Sequence, residues 1–101
     1  MTTKELKSLT KEEFLKYPDA TEDIYNALKN SKEGWIEIWK EDESVHRSGH
    51  TDAFGEGISC YLYKMSSWYH TSIIQKINWE DGYFDTLNSR YYFNFKEHNN
   101  E

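Results

Sequence analysis

Gly34-Trp35-Ile36-Glu37-Ile38-Trp39 is the stretch at which the chain changes period. Ile36 and Ile38 point one way and Trp35, Glu37 and Trp39 the other, the alternation of a strand with one face turned to a core. The residues before it read as helix and those after it as strand.

Upstream, Thr10 and Glu13 have capping-box spacing, and Leu9 is placed to staple onto Phe14, which predicts a short helix over 11–16. Pro18 ends it by disfavouring helical backbone at Tyr17. An earlier turn begins at Thr2 with Glu5 and presents Leu6 and Leu9. A second helix starts near Asp19 or Thr21, carries Glu22 and Asp23 where the macrodipole favours anions, buries Ile24, Ala27 and Leu28, and stops at Gly34.

Downstream, Glu41 to Ser44 is a polar turn and Val45 to Ser48 a brief returning strand, followed by a glycine-bearing loop through Gly49, Gly55 and Gly57. Ile58, Cys60 and Leu62 alternate with Ser59, Tyr61 and Tyr63 as a strand. Ser66 and Ser67 turn the chain. The run from Trp68 to Trp79 alternates as one longer strand, with Ile74 on its other face. Asp81-Gly82 signals a tight hairpin turn between Ile77 and Phe84, Asn88-Ser89 marks another turn, and Tyr91, Phe93 and Phe95 belong to a last strand. The expected fold is therefore α+β: two short N-terminal helices (about 1–33) packed on an antiparallel sheet of four or five strands (34–96), with a polar tail (97–101), in a single domain spanning 1–101.

Composition narrows the function classes. Of 101 residues, 18 are acidic and 12 basic, for a net charge of −6, which opposes binding to a phosphate backbone and favours a partner protein with a basic surface. Aromatics at 17% argue for a folded chain despite 30% charged residues. No apolar run is long enough for a membrane span or a secretory leader, so the expected setting is the cytoplasm, with no membrane partner. Cys60 is the only cysteine, which excludes an internal disulfide and a multi-cysteine zinc site. Lysine-rich, arginine-poor composition with abundant Asn, Ile and Tyr suggests AT-rich coding, as in a bacterium, phage or other mobile element.

Three segments offer chemistry. His46-Arg47-Ser48-Gly49-His50-Thr51-Asp52 gathers imidazoles, a guanidinium and a carboxylate on an expected loop, but its i, i+4 histidines share a face only in a helix, so no metal is expected. His46-x-Ser48 and His70-x-Ser72 each resemble the short His-x-Ser/Thr element of two-histidine phosphoesterases, which implies acid–base histidines and phosphate-holding hydroxyls. The resemblance covers six residues. Phe54-Gly55-Glu56-Gly57-Ile58, with Met65-Ser66-Ser67 and Tyr69, resembles the glycine-flanked turn of the NAD cleft in ADP-ribosyltransferases. That family's upstream histidine or arginine strand and its catalytic glutamate find no match. Gly55 and Gly57 are therefore assigned to a turn entering the Ile58 strand, and no cofactor is expected.

Alternation also gathers Trp35, Trp39, Tyr61, Tyr63, Trp68 and Tyr92 opposite the aliphatic residues. Either they form a binding face, or they form the main core while Ile36, Leu62 and Ile74 face a second layer. The first function reading is a small acidic, non-enzymatic module that docks on a partner protein through Trp35, Trp39, Tyr61 and Tyr63 with a rim of Glu41, Asp42 and Glu43. By analogy of size and charge, such a module would be an inhibitor, an immunity protein or a phage-encoded anti-defence protein. A second reading is a small nucleotide or phosphodiester enzyme using His46, His50 and His70, with Arg47 holding phosphate. A third is a nucleic-acid mimic.

Overall fold

The computed structural model describes residues 3–98. Its elements are α1 (Thr3–Ser8), α2 (Lys11–Phe14), α3 (Glu22–Asn30), β1 (Lys32–Trp39), β2 (His46–Phe54), β3 (Ser59–Lys64), β4 (Ser67–Ile73), β5 (Lys76–Asn78), β6 (Tyr83–Asp85) and β7 (Arg90–Glu97). Among the described residues the strands form one antiparallel sheet in the order β4-β3-β2-β1-β7-β6-β5, curled into a half-barrel.

This corrects the expected α+β architecture. The described residues are mostly sheet, with seven strands in place of four or five, and three short helices instead of two packed across it. Two misreadings account for the difference. Gly49 was expected in a loop, yet it lies inside β2, where a Cβ would sit 2.6 Å from the Tyr63 carbonyl oxygen. Glycine here permits close approach of two strands rather than a turn. The run from Trp68 to Trp79 was expected as one strand, yet it breaks at Ile74-Gln75 into β4 and β5, which lie at opposite ends of the sheet order.

The helices start where capping chemistry predicts and stop elsewhere. Thr10 and Glu13 form the reciprocal capping box of α2, and the Thr21 hydroxyl accepts from the Ile24 amide at the start of α3. The end of α3 is not Gly34. It is Ser31, already extended at φ −74° and ψ 160°, while Gly34 sits in β1 opposite Glu97 and has no room for a side chain beside the Lys96 carbonyl. Glu97, expected to open the tail, is still in β7; residues 99–101 and the turn residue Thr2 lie outside the described residues.

Two apolar clusters result. Ile36, Ile38, Phe54, Cys60, Leu62, Ile74, Phe84 and Phe93 line the inside of the curled sheet, with Phe54 at ring-centroid distances of 5.0 Å from Phe93, 5.6 Å from Phe84 and 5.4 Å from Trp79. A smaller cluster holds the helices at one end through Phe14, Leu28 and Ala53, joined by Leu6, Leu9 and Ile58. The pairing of β1 with β2 links the two clusters. Gly34 faces Thr51 but Lys32 faces Phe54, so Asp52 and Ala53 together stand opposite Glu33. Such a bulge re-aims side chains: Phe54 joins the main core and Ala53 the helical cluster.

Candidate functional site

The outer face of the sheet carries the aromatic residues singled out in the sequence. Trp68, Tyr63, His50, Trp35 and Lys96 are successive register partners across β4, β3, β2, β1 and β7. A second transverse row runs through His46, Trp39, Tyr92 and Tyr83. Between the two rows lie Ser48, Glu37 and Asn94. Ile36, Ile38 and Leu62 are buried, whereas Trp35 is 45%, Tyr61 53%, Tyr63 44% and Trp68 66% exposed. The aliphatic residues thus form the core and these aromatics the outside.

The outer aromatics are organised as well as exposed. Tyr61, Trp68 and His70 stack with their planes within 20° of one another and centroids 5.0 to 6.2 Å apart. Trp39 is more sheltered, stacked on Tyr92 at 6.3 Å and edge-on to His46. Stacked rings on neighbouring strands restrain each other, so less side-chain freedom remains to be lost on docking.

Glu41, Asp42 and Glu43 occupy the tip of the β1–β2 hairpin, beyond Trp39. The Asp42 carboxylate accepts from the Ser44 hydroxyl at 2.7 Å and its amide at 3.0 Å, and these bonds hold it below the usual carboxylate range. Glu43 takes a left-handed backbone at φ 63°. The tip is shaped by its own turn and leaves its charges in solvent.

The histidines do not assemble as the phosphodiester reading needs. His46 Nε2 lies 2.6 Å from Glu37 Oε2, and that hydrogen bond, followed by one from Asn94, lowers the Glu37 carboxyl. His70 is in the aromatic stack, and His50 faces Glu33 and Asp52. Arg47 alternates to the opposite face of β2 and places its guanidinium 5.4 Å from the Tyr69 ring. A strand separates neighbours that a loop could have converged. Cys60, between two core residues, is wholly buried, and burial pushes its thiol up to about 12.

What the sequence reading missed is the group around His50. The i, i+2 spacing of His50 and Asp52 puts both on one face once β2 is known to be a strand, and the register of β1 with β2 sets Glu33 beside them. His50 Nε2 is 3.1 Å from Asp52 Oδ1 and 3.3 Å from Glu33 Oε2. Tyr63 donates its hydroxyl to Asp52 Oδ1 at 3.2 Å; burial and then the Asp52 charge raise its own ionisation range. Burial acts to raise the Glu33 carboxyl, but the Lys4 charge and the His50 hydrogen bond outweigh it and leave it lowered.

Beside this group an apolar cleft of about 460 Å³ opens between α1, α3 and the sheet, with Leu6, Ile24 and Leu28 on one side and Tyr61 and Ile73 on the other. No helix among the described residues is long and apolar enough to cross a membrane. No protein-family model matches the chain, and no curated protein or solved structure shows significant similarity to it.

Proposed function

We propose that the protein is a non-enzymatic binding module that docks on a basic surface of a partner protein through the outer aromatic face of its sheet. The observation that carries this reading is the row Trp68-Tyr63-His50-Trp35, in which three large aromatic side chains stand on one face at 44% to 66% exposure. Rings left in water on a sheet whose inner face already closes a core of isoleucine, leucine and phenylalanine add nothing to that core. They supply the anchors that dominate protein interfaces. Carboxylates sit among and beyond the rings at Glu33, Glu37 and Asp52, with Glu41, Asp42 and Glu43 at the hairpin tip. Aromatic faces interleaved with carboxylates suit lysine and arginine side chains, which gain both ion pairing and cation–π contact.

An inhibitor, immunity or phage-encoded anti-defence role in the cytoplasm is the biological form this docking takes in our reading. The enzyme reading is not favoured, since His46, His50 and His70 each engage different partners and Arg47 lies on the other face.

The test is affinity capture from the source cell followed by surface-captured kinetics with the purified partner at two ionic strengths. Trp35→Ala and Trp68→Ala should speed release strongly, since such anchors typically cost about 2 kcal/mol or more when truncated. Replacing Glu41, Asp42 and Glu43 together by Ser should slow association, most at low salt. Wild-type kinetics in every variant would remove this face as the interface.

A further inference from the structure

We propose that Glu33, His50 and Asp52 form a binding site for one divalent transition-metal ion of the zinc type, which nothing in the docking reading requires. The three side chains each offer one ligand atom, and these atoms all lie within 4.8 Å of one another. The two oxygen–nitrogen separations, 3.1 and 3.3 Å, match the spacing of about 3 Å between neighbouring ligands held roughly 2.0–2.2 Å from a tetrahedral or octahedral ion.

Charge and protons favour such an occupant. Nε2 of an imidazole carries at most one proton, yet two carboxylate oxygens face it. Tyr63 donates to Asp52, and Lys4 approaches Glu33 at 3.5 Å from a side chain that is 74% exposed and can swing away. A divalent ion would meet all three donors at once. One imidazole with two carboxylates is a donor set for zinc, cobalt, nickel or manganese; magnesium and calcium prefer oxygen alone.

The site is built by the backbone as well as by its side chains. The regular register of β1 with β2, running through Trp35↔His50 and Gly34↔Thr51, carries Glu33 to Asp52 on the face of His50. The three side chains are 19% to 30% exposed, sheltered from bulk water but reachable by an ion. Tyr63, hydrogen-bonded to Asp52, is the kind of outer support that orients a ligand. The ring of His98 lies 6.5 Å from that of His50, on a chain segment tied to the site by its amide's bond to the Glu33 carbonyl.

The experiment uses the full chain, stripped with chelator and dialysed, and titrated with Zn²⁺ against a chromophoric competitor, then with Co²⁺ for its visible spectrum, with Mg²⁺ as a control. One equivalent of Zn²⁺ should bind, and Co²⁺ should give ligand-field bands. His50→Ala and the near-isosteric Glu33→Gln and Asp52→Asn should each weaken Zn²⁺ at least about tenfold, whereas His70→Ala should leave it unchanged. Melting curves without metal establish that each variant is folded. The proposal is overturned if Zn²⁺ is not retained stoichiometrically, if Mg²⁺ binds equally well, if His50→Ala and Glu33→Gln bind like wild type, or if His70→Ala weakens the ion as much as they do. Because metal binding is read on the isolated chain, its failure leaves the docking proposal standing, and the reverse holds.

Discussion

Ile74 and Gln75 are neighbours in the chain but serve opposite ends of the sheet. The Ile74 amide donates to Ile58 O at 3.0 Å, beside β3, and the Gln75 amide donates to Asp85 O at 2.7 Å, on β6. A single peptide unit therefore bridges the two margins of a curled sheet, and it does so with Ile74 only 1% exposed at the seam. Closing the sheet in this way gives edge amides partners that an open sheet would leave to solvent or to another chain.

Truncation at this seam should be costly. Ile74→Ala removes a buried side chain where two sheet margins meet, and a loss of about 2–5 kcal/mol is expected. Urea unfolding measures it. A loss below about 1 kcal/mol would mean that the margins are not held together there.

Glu56 should act as a second clasp. Its carboxylate accepts from the Ile77 amide at 2.8 Å, and the Gly57 amide donates to Ile74 O at 2.9 Å, so the β2–β3 turn is bonded to both sides of the seam. Glu56→Ala strands a part-buried amide and should cost about 1–3 kcal/mol, with Glu56→Gln costing less because it keeps an acceptor. Equal losses in the two variants, read by denaturant midpoint, would indicate that charge rather than the hydrogen bond matters.

Cys60 should be inert and should link stability to alkaline pH. Burial, only partly offset by a hydrogen bond from Thr51, raises its thiol from 9.0 to about 12. A thiol raised on folding contributes stability that is complete below the unfolded value and declines as pH climbs from about 9 toward 12, because the unfolded chain ionises first. The stability difference between wild type and Cys60→Ala should therefore shrink between pH 8 and 10. Thiol labelling at pH 8 should be negligible for the native protein and complete in urea.

The outer aromatics should be dispensable for folding. Trp35→Ala and Trp68→Ala remove side chains 45% and 66% exposed, losing the Lys64 ammonium over the Trp35 ring and the stacking of Trp68 on Tyr61 and His70, so each should cost less than about 1 kcal/mol in a thermal melt. A loss of several kcal/mol would return these rings to a structural role.

Local features were readable in the chain because they depend on neighbouring residues. The Thr10–Glu13 box, the Asp81-Gly82 hairpin that pairs Ile77 with Phe84, and the opposition of Ile36 and Ile38 to Trp35 and Trp39 all rest on spacing within a few residues. The placement of Ile36 and Ile38 inside and Trp35 outside was one of two arrangements that alternation allows. Periodicity defines two faces but does not say which one closes over a core.

What only the tertiary structure decided follows from long-range contact. Gly49 is a strand residue because the Tyr63 backbone crosses it, and Gly34 because Lys96 does. The break at Ile74-Gln75 exists because the sheet curls until its margins meet, a closure invisible to a local alternation that merely skips one residue at Ile74. The same holds for Glu33, His50 and Asp52. His50 and Asp52 stand two apart in sequence, but Glu33 is brought across from β1 by strand pairing. Amino-acid order set the periods, caps and turns through forces acting over a few bonds; backbone pairing across the sheet determined which of those residues would meet.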